Sequence, residues 1–403
     1  MFSTKTIIKR ECAKDRKISI AIMSPFFVLM AQFFVLYYFN IINTNMGQMV
    51  QLLSKATVGL FFIYSFLTVF KRNGLIFIFI YCGFATIFLL NFLFFQQNAP
   101  YLKATLFSFF FMCLPCFVYS FSINNLLVFK SIMKKTGTIV FFIGAMTAFL
   151  AITNRISLGP YSMSLSYYML LPVIVHMNNF FVKRSIESGL ITTIAVFIIF
   201  ALGSRGAILC IGIYVILYFM TQSGKNSVKN WVFKLSVFFT LFFSVFFLKE
   251  IFTFLNKILM KYNIHSRTIA LFLRDKVHLS GREVIYSTIV DQIKAHPLMG
   301  IGLAGDRLYT GGTYSHNIFL EIISGFGIIV GIIILLFLGC ITIRSLFLKN
   351  KTRANLMLMW FCIGFVPLIV SGSYLTSFQF WIFLGLITRF SVTKEQKCLP
   401  ANY

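Results

Sequence analysis

Apolar residues run in long unbroken stretches along this chain, divided by short clusters of lysine, arginine and asparagine. A helix needs about 20 apolar residues to span the hydrocarbon of a bilayer. The pattern predicts twelve such helices, near 18–39, 50–70, 74–95, 104–122, 137–153, 166–182, 187–203, 206–221, 231–248, 317–341, 355–372 and 374–391. The opening segment does not read as a cleavable signal. Its basic region leads into an apolar stretch too long for a signal core, and no small-residue cleavage site follows. The expected fold class is therefore an all-α polytopic membrane protein.

Basic residues between the stretches set a topology. Lys5, Lys9, Arg10, Lys14, Arg16 and Lys17 mark the N-terminal tail as cytoplasmic, since cytoplasmic loops collect Lys and Arg. Every second loop is then basic: Lys71–Arg72, Lys130 with Lys134 and Lys135, Lys183–Arg184, Lys225 with Lys229, and Arg344 through Arg353. The tail carries Arg389, Lys394 and Lys397, while the intervening short loops hold only Lys103, Arg155 and Arg205. Both termini are thus expected inside. By parity the one long loop, 249–316, falls outside. The expected organisation is a transmembrane bundle over 1–248, the outer loop over 249–316, closing spans over 317–391 and a cytoplasmic tail over 392–403.

Composition agrees with this picture. Of 403 residues 59% are hydrophobic, 52 are Phe, and 11% are charged, against about a quarter in ordinary soluble domains. The formal net charge of +26 would suggest nucleic acid in a soluble protein, but loop topology accounts for it without a polyanionic partner. All eight cysteines fall in spans or cytoplasmic tails, so disulfides are not expected. Cys113 and Cys116 read as small packing residues, because no further metal ligand lies near them.

The outer loop holds half of the chain's ten acids. Apolar and basic positions over Ile251–Tyr262 alternate at helical spacing, which suits a helix lying on the membrane surface. Ser280 and Glu283 form the S-x-x-E capping pattern, opening a helix that Pro297 stops. Gly-rich turns follow at Gly300, Gly302 and Gly305 and at Gly311–Gly312.

A few polar residues invite a chemical reading. Arg205 sits in the four-residue joint of two short spans, at the outer headgroup level. It reads equally as a functional cation or as an arginine snorkelling to a lipid phosphate. Arg282 stands in the first turn of the Ser280 helix, where unpaired N–H groups already favour an anion and a cation opposes the helix dipole. An anionic ligand explains it better than a solvated loop position. His316 lies with Asn317 at the mouth of the tenth span, and histidine is the side chain most readily tuned to exchange protons near neutrality. A carboxylate in an apolar span normally has a partner; Glu321 is one turn from His316, so a Glu321–His316 pair is expected to orient the ring or raise its basicity. No paired acids of the D-x-D kind and no nucleotide or hydrolase motif occur, so neither a metal nor a cofactor is indicated. Two arginines and a base suit transfer of a sugar from a lipid diphosphate. Arginine matches phosphate geometry and steadies charge growing on the leaving group, while the base takes the acceptor hydroxyl's proton.

The stretches SGREVIYSTIVDQIKAHPLMGIG, from Ser280, and TYSHNIFLEIISGFGIIVG, from Thr313, resemble the signature region of the bacterial O-antigen polymerase and O-antigen ligase superfamily. The shared elements are Gly281-Arg282, Pro297 with Gly300 and Gly302, His316-Asn317, and the spaced Gly325, Gly327 and Gly331; the superfamily's earlier inter-span arginine matches Arg205. The resemblance implies a GT-C-like, metal-independent, inverting glycosyltransferase of the bacterial cytoplasmic membrane, using an undecaprenyl-diphosphate-linked glycan as donor. It implies that Arg205 and Arg282, with Arg155 as a further match, engage the diphosphate, and that His316 is the base. Membrane lipids, a chain-length regulator and a flippase are the implied partners. A polymerase is preferred to a ligase, because nothing resembles a lipid A-core docking element. A transporter is the alternative from another class, but it would place polar sites near mid-membrane and show repeat symmetry. Only Lys55, Glu187, Lys234 and Glu321 fall in or near spans, and no half-to-half repeat is visible. A purely structural scaffold would leave the order Arg205, Arg282, His316 to coincidence.

Overall fold

The computed structural model describes residues 4–153, 155–158, 163–221, 281–348 and 350–392, together with Thr253, Phe254, Lys257, Ile258, Met260 and Lys261. Every regular element among the described residues is helical. Numbered through those residues, they are α1 (Thr4–Tyr38), α2 (Asn45–Phe94), α3 (Gln96–Phe121), α4 (Leu126–Ile152), α5 (Met163–Lys183), α6 (Ile186–Leu202) and α7 (Arg205–Thr221). After the gap come α8 (Arg282–Ala295), the single turn α9 (Asp306–Tyr309), α10 (Ile318–Phe326), α11 (Ile328–Leu346), α12 (Lys351–Val370) and α13 (Phe378–Val392).

Among the described residues seven helices are long and apolar enough to cross a membrane: α1 from Lys9, then α2, α3, α4, α5, α11 and α12. Three shorter apolar helices, α6, α7 and the Phe378–Ser391 stretch of α13, accompany them. The protein is a multi-pass, all-helical membrane protein. The expected spans 50–70 and 74–95 run together as α2, which is broken at Asn73 by a non-helical backbone (φ −142°, ψ 38°). The Phe66 and Phe77 rings lie 5.5 Å apart. Eleven residues of straight helix would separate them by about 16 Å, so the chain folds back at Asn73. The expected span 231–248, the surface helix over 251–262 in large part, and Ser280 lie outside the described residues.

One expected span is corrected. The stretch 317–341 is not a single helix. Gly327 (φ 78°, ψ 170°) divides it into α10 and α11. The Ile328 N–H turns away from its own helix to the Pro297 carbonyl at 2.7 Å. The Ser280 half of the expected capping box lies outside the described residues; α8 starts at Arg282 with Gly281 as its N-cap, and no side chain among the described residues caps it.

The chain divides into two compact units. The first comprises residues 1–29, 49–136 and 281–403. Its core packs Phe26 of α1 against Trp360 of α12 and Phe378 of α13, with ring centroids 6.0 and 4.9 Å apart. Phe129 also stacks on Trp360, with ring centroids 6.0 Å apart. At one end of this unit a single carboxylate joins three segments. Asp15 of α1 accepts from Arg72 at the α2 fold-back (2.7 Å) and from the Asn124 and Asn125 N–H groups after α3 (3.0 and 3.2 Å). Arg72 also reaches Glu11 and the Ser122 carbonyl, and Arg389 of α13 bonds the Phe121 carbonyl and Asn124.

The second unit comprises residues 30–48 and 137–280. Its centre is α5, whose buried His176 meets Thr138 of α4 at 3.1 Å and Ser188 of α6 at 3.4 Å. Asn178 of α5 accepts from Tyr214 of α7 at 3.3 Å. Helices α6 and α7 join through Gly203-Ser204, with Gly203 in the left-handed conformation that ends α6.

In the first unit the segment 297–305 lies backbone to backbone against the α10–α11 break. Ile301 N–H donates to the Ser324 carbonyl (2.7 Å) and Gly302 N–H to that of Gly325 (3.2 Å). A Cβ at Gly327 would sit 2.1 Å from the Leu298 carbonyl oxygen, in a backbone region that only glycine enters readily. Gly327→Ala is expected to cost about 1–3 kcal/mol from backbone strain alone, and more from the clash. Gly339→Ala, on an open face of α11, should be tolerated. Thermal unfolding of the two purified proteins in detergent checks the contrast; equal midpoints would contradict the close packing.

Candidate functional site

The first unit gathers three of the five residues singled out from the sequence. Arg282 is the first residue of α8 and is half-buried. No side chain among the described residues caps that end, and the N–H groups of a helix's first turn favour an anion, here beside the guanidinium. Nη1 of Arg282 donates to the Val370 carbonyl at the end of α12.

His316 stands on the loop before α10, half-buried, with a left-handed backbone (φ 55°) that non-glycine residues rarely adopt. Both of its neighbours are pinned. The Ser315 N–H donates to Asp306 at 2.8 Å, and the Asn317 side chain caps α10 by accepting from Phe319 and Leu320 N–H. The Tyr314 ring lies 4.2 Å from the imidazole. Nδ1 of His316 is buried and meets no hydrogen-bond partner among the described residues. Burial and, after it, the charge of Arg282 lower the pKa of His316 to about 4. The ring is therefore neutral at physiological pH and able to accept a proton.

Glu321 does not pair with His316. Its carboxylate accepts from the Ser373 hydroxyl and the Tyr374 N–H (3.2 Å), with Arg307 Nη2 at 3.7 Å. Arg307 bridges onward, donating to Asp306 at 3.1 Å and to Ser373 at 2.9 Å. Sequence reading passed over Asp306, Arg307 and Ser373. A signal was present for Arg307. A carboxylate at the edge of an apolar helix needs a cation or donor, and Arg307 is the nearest arginine in sequence to Glu321.

Arg205 and Arg155 belong to the second unit. Arg205 is the first residue of α7, half-buried, directly after Ser204, which caps the helix by accepting from Ala207 N–H. It thus repeats the placement of Arg282, a guanidinium at a helix N-terminus. Arg155 is exposed on the loop after α4, where its N–H bonds the Leu150 carbonyl at 2.9 Å.

Residues 190–336 match the family model Wzy_C, O-Antigen ligase. The match supports the O-antigen polymerase and ligase superfamily. It takes in Arg205, Arg282, Arg307, His316 and Glu321, and leaves Arg155 and Ser373 outside. A comparison with curated proteins finds no match.

Selective histidine NMR of the detergent-solubilised protein, assigned with His316→Gln, should find His316 neutral until the pH falls to about 4. Arg282→Gln removes the like charge but not the burial. The midpoint should then rise part of the way towards 6.5. A midpoint near 6.5 in the unsubstituted protein would contradict the described environment.

Proposed function

We propose that the chain is a glycosyltransferase that joins undecaprenyl-diphosphate-linked oligosaccharide repeats at the outer face of the bacterial cytoplasmic membrane, a polymerase of O-antigen or capsular polysaccharide. The observation that carries the reading is the pairing, within the region matched to the superfamily, of a neutral imidazole whose buried Nδ1 meets no partner among the described residues with an arginine in the first turn of helix α8.

The reaction follows from these groups. His316 accepts the proton of the acceptor sugar hydroxyl as that oxygen attacks the anomeric carbon of the donor. The bond from that carbon to the diphosphate oxygen breaks on the opposite side, inverting the centre. The departing undecaprenyl diphosphate keeps the electron pair. Arg282 and the α8 N–H groups take up the charge that grows there. Arg205 and Arg155 are assigned the same kind of partner, the donor diphosphate. A base with a pKa near 4 is weak when the site is empty. A diphosphate on Arg282 offsets the cation that depresses it, so donor binding itself makes His316 more basic. Glu321 enters this scheme as a positioning residue. No metal or cofactor is assigned a role; a chain-length regulator and a flippase are the proposed protein partners.

The matched family, O-antigen ligase, favours a second reading, ligase, in which the acceptor is a lipid A-core sugar. Purified protein in lipid, supplied with defined lipid-linked repeats, separates the readings. Longer lipid-linked glycans mean polymerase, transfer only to added lipid A-core means ligase, and translocation without elongation means a transporter. In that assay Arg205→Ala, Arg282→Ala and His316→Ala should each lose about 100-fold or more in rate while staying inserted and folded, and a chelator should change little. Wild-type rates in the His316 and Arg282 variants would overturn the assignment.

A further inference from the structure

Behind His316 lies a charged cluster that the chemistry above does not use. Asp306, Arg307, Glu321 and Ser373 are 2%, 6%, 4% and 1% exposed. A phosphate has no route to a guanidinium so enclosed, and both of its terminal nitrogens are already engaged. Two carboxylates share this one cation, an arrangement that is poor value for stability, since desolvating charges offsets most of their attraction. Its use is better sought in what it holds.

The cluster touches four segments. Asp306 and Arg307 belong to α9. The second Asp306 oxygen holds the Ser315 N–H, one residue before His316. Glu321 comes from α10, four residues beyond the Asn317 cap. Ser373 and the Tyr374 N–H belong to the loop after α12, three residues past Val370, whose carbonyl receives Arg282. The imidazole and the Arg282 guanidinium are thus attached to opposite ends of one buried ion network. The left-handed backbone of His316 has to be held by such surroundings.

We propose that Arg307, clasped by Asp306 and Glu321, is the positioning residue of this site, setting His316 and Arg282 in fixed relation while binding no substrate itself. The functional meaning rests on the reading of His316 as base and Arg282 as diphosphate ligand; the geometric claim does not. The charged groups around the imidazole are Arg282 on α8 and, behind Ser315, the Asp306–Arg307–Glu321 cluster; Tyr314 covers the ring.

The test uses the full chain in detergent or nanodiscs, with Arg307→Lys, Asp306→Asn, Ser373→Ala and the conservative Glu321→Gln, which keeps an acceptor for the Ser373 hydroxyl. Two readouts are taken, the His316 NMR midpoint without substrate and the elongation kinetics. If the network sets the geometry, Arg307→Lys and Asp306→Asn remain monodisperse, yet their His316 midpoint climbs from about 4 towards 6.5 as the ring loses its enclosed place and, with it, its fixed position beside Arg282. Their kcat falls about 100-fold, the scale of a small misplacement, with donor KM little changed, and Glu321→Gln is milder. A midpoint that stays near 4 overturns the proposal. So does a loss confined to donor KM, which would make Arg307 a substrate ligand, or a failure of all four variants to fold, which would make the cluster structural only. A moved midpoint in a protein whose wild type elongates nothing keeps the positioning claim and sinks the proposed reaction instead.

Discussion

The site depends on a close approach of two backbones. Segment 297–305 is irregular and the helix breaks between α10 and α11, so several peptide groups there need partners from outside their own helix, and apolar surroundings make unpaired peptide groups costly. They satisfy each other: Ile301 to Ser324, Gly302 to Gly325, Ile328 to Pro297. The approach is possible because Gly300 and Gly327 carry no Cβ; at either position one would fall within 2.5 Å of backbone atoms of the opposing segment. Two asparagines from elsewhere in the first unit complete the seam. Asn91 receives the Leu303 N–H at 2.7 Å, and Asn98 donates to the Ile301 carbonyl at the same distance. Once the seam is closed, α9 and the loop bearing His316 are held beside it.

Against that fixed frame the arginines fall into two kinds. Arg307 is enclosed and its charge is balanced within the fold. Arg282 is half-buried, placed at a helix start and engaged with a backbone carbonyl, a partner without net charge. A guanidinium in the second position retains most of its attraction for an anion, whereas one in the first has little left to offer. The same distinction explains why the histidine stays neutral. Burial comes first, and the cation that faces the ring, Arg282, has no carboxylate partner among the described residues and works in the same direction.

Much of the helical layout was legible because membrane spans announce themselves by length and hydropathy. The ends of α6 and α7 and the stop of α8 before Pro297 follow from local signals, Gly203 and Pro297 among them. Arg282 and His316 stand out in the sequence as candidates because each contradicts its local setting, a cation at a positive helix end and an imidazole beside an apolar helix. What hydropathy could not show was the break at Gly327. Its neighbours Phe326 and Ile328 are as apolar as any span, and the helix ends where Gly327 takes a left-handed φ and a distant segment offers the Pro297 carbonyl to Ile328. Glu321 was misread for a related reason. Helical spacing brought His316 to mind, but the partners came from Arg307 and from Ser373, fifty-two residues away. Ion networks of this kind are written in the tertiary fold, and no spacing rule anticipates them.

Asp15 has a consequence for how the first unit is assembled. One carboxylate gathers the start of the first long helix, the fold-back of the second and the loop after the third, through one guanidinium and two peptide N–H groups. Its bonds span sequence separations of 57 to 110 residues, so the knot can be tied only after the second and third hydrophobic hairpin arms are in place. Helix α1 emerges before α2 and α3 during synthesis and therefore waits for them before its buried Asp15 is neutralised, so that its insertion is coupled to theirs.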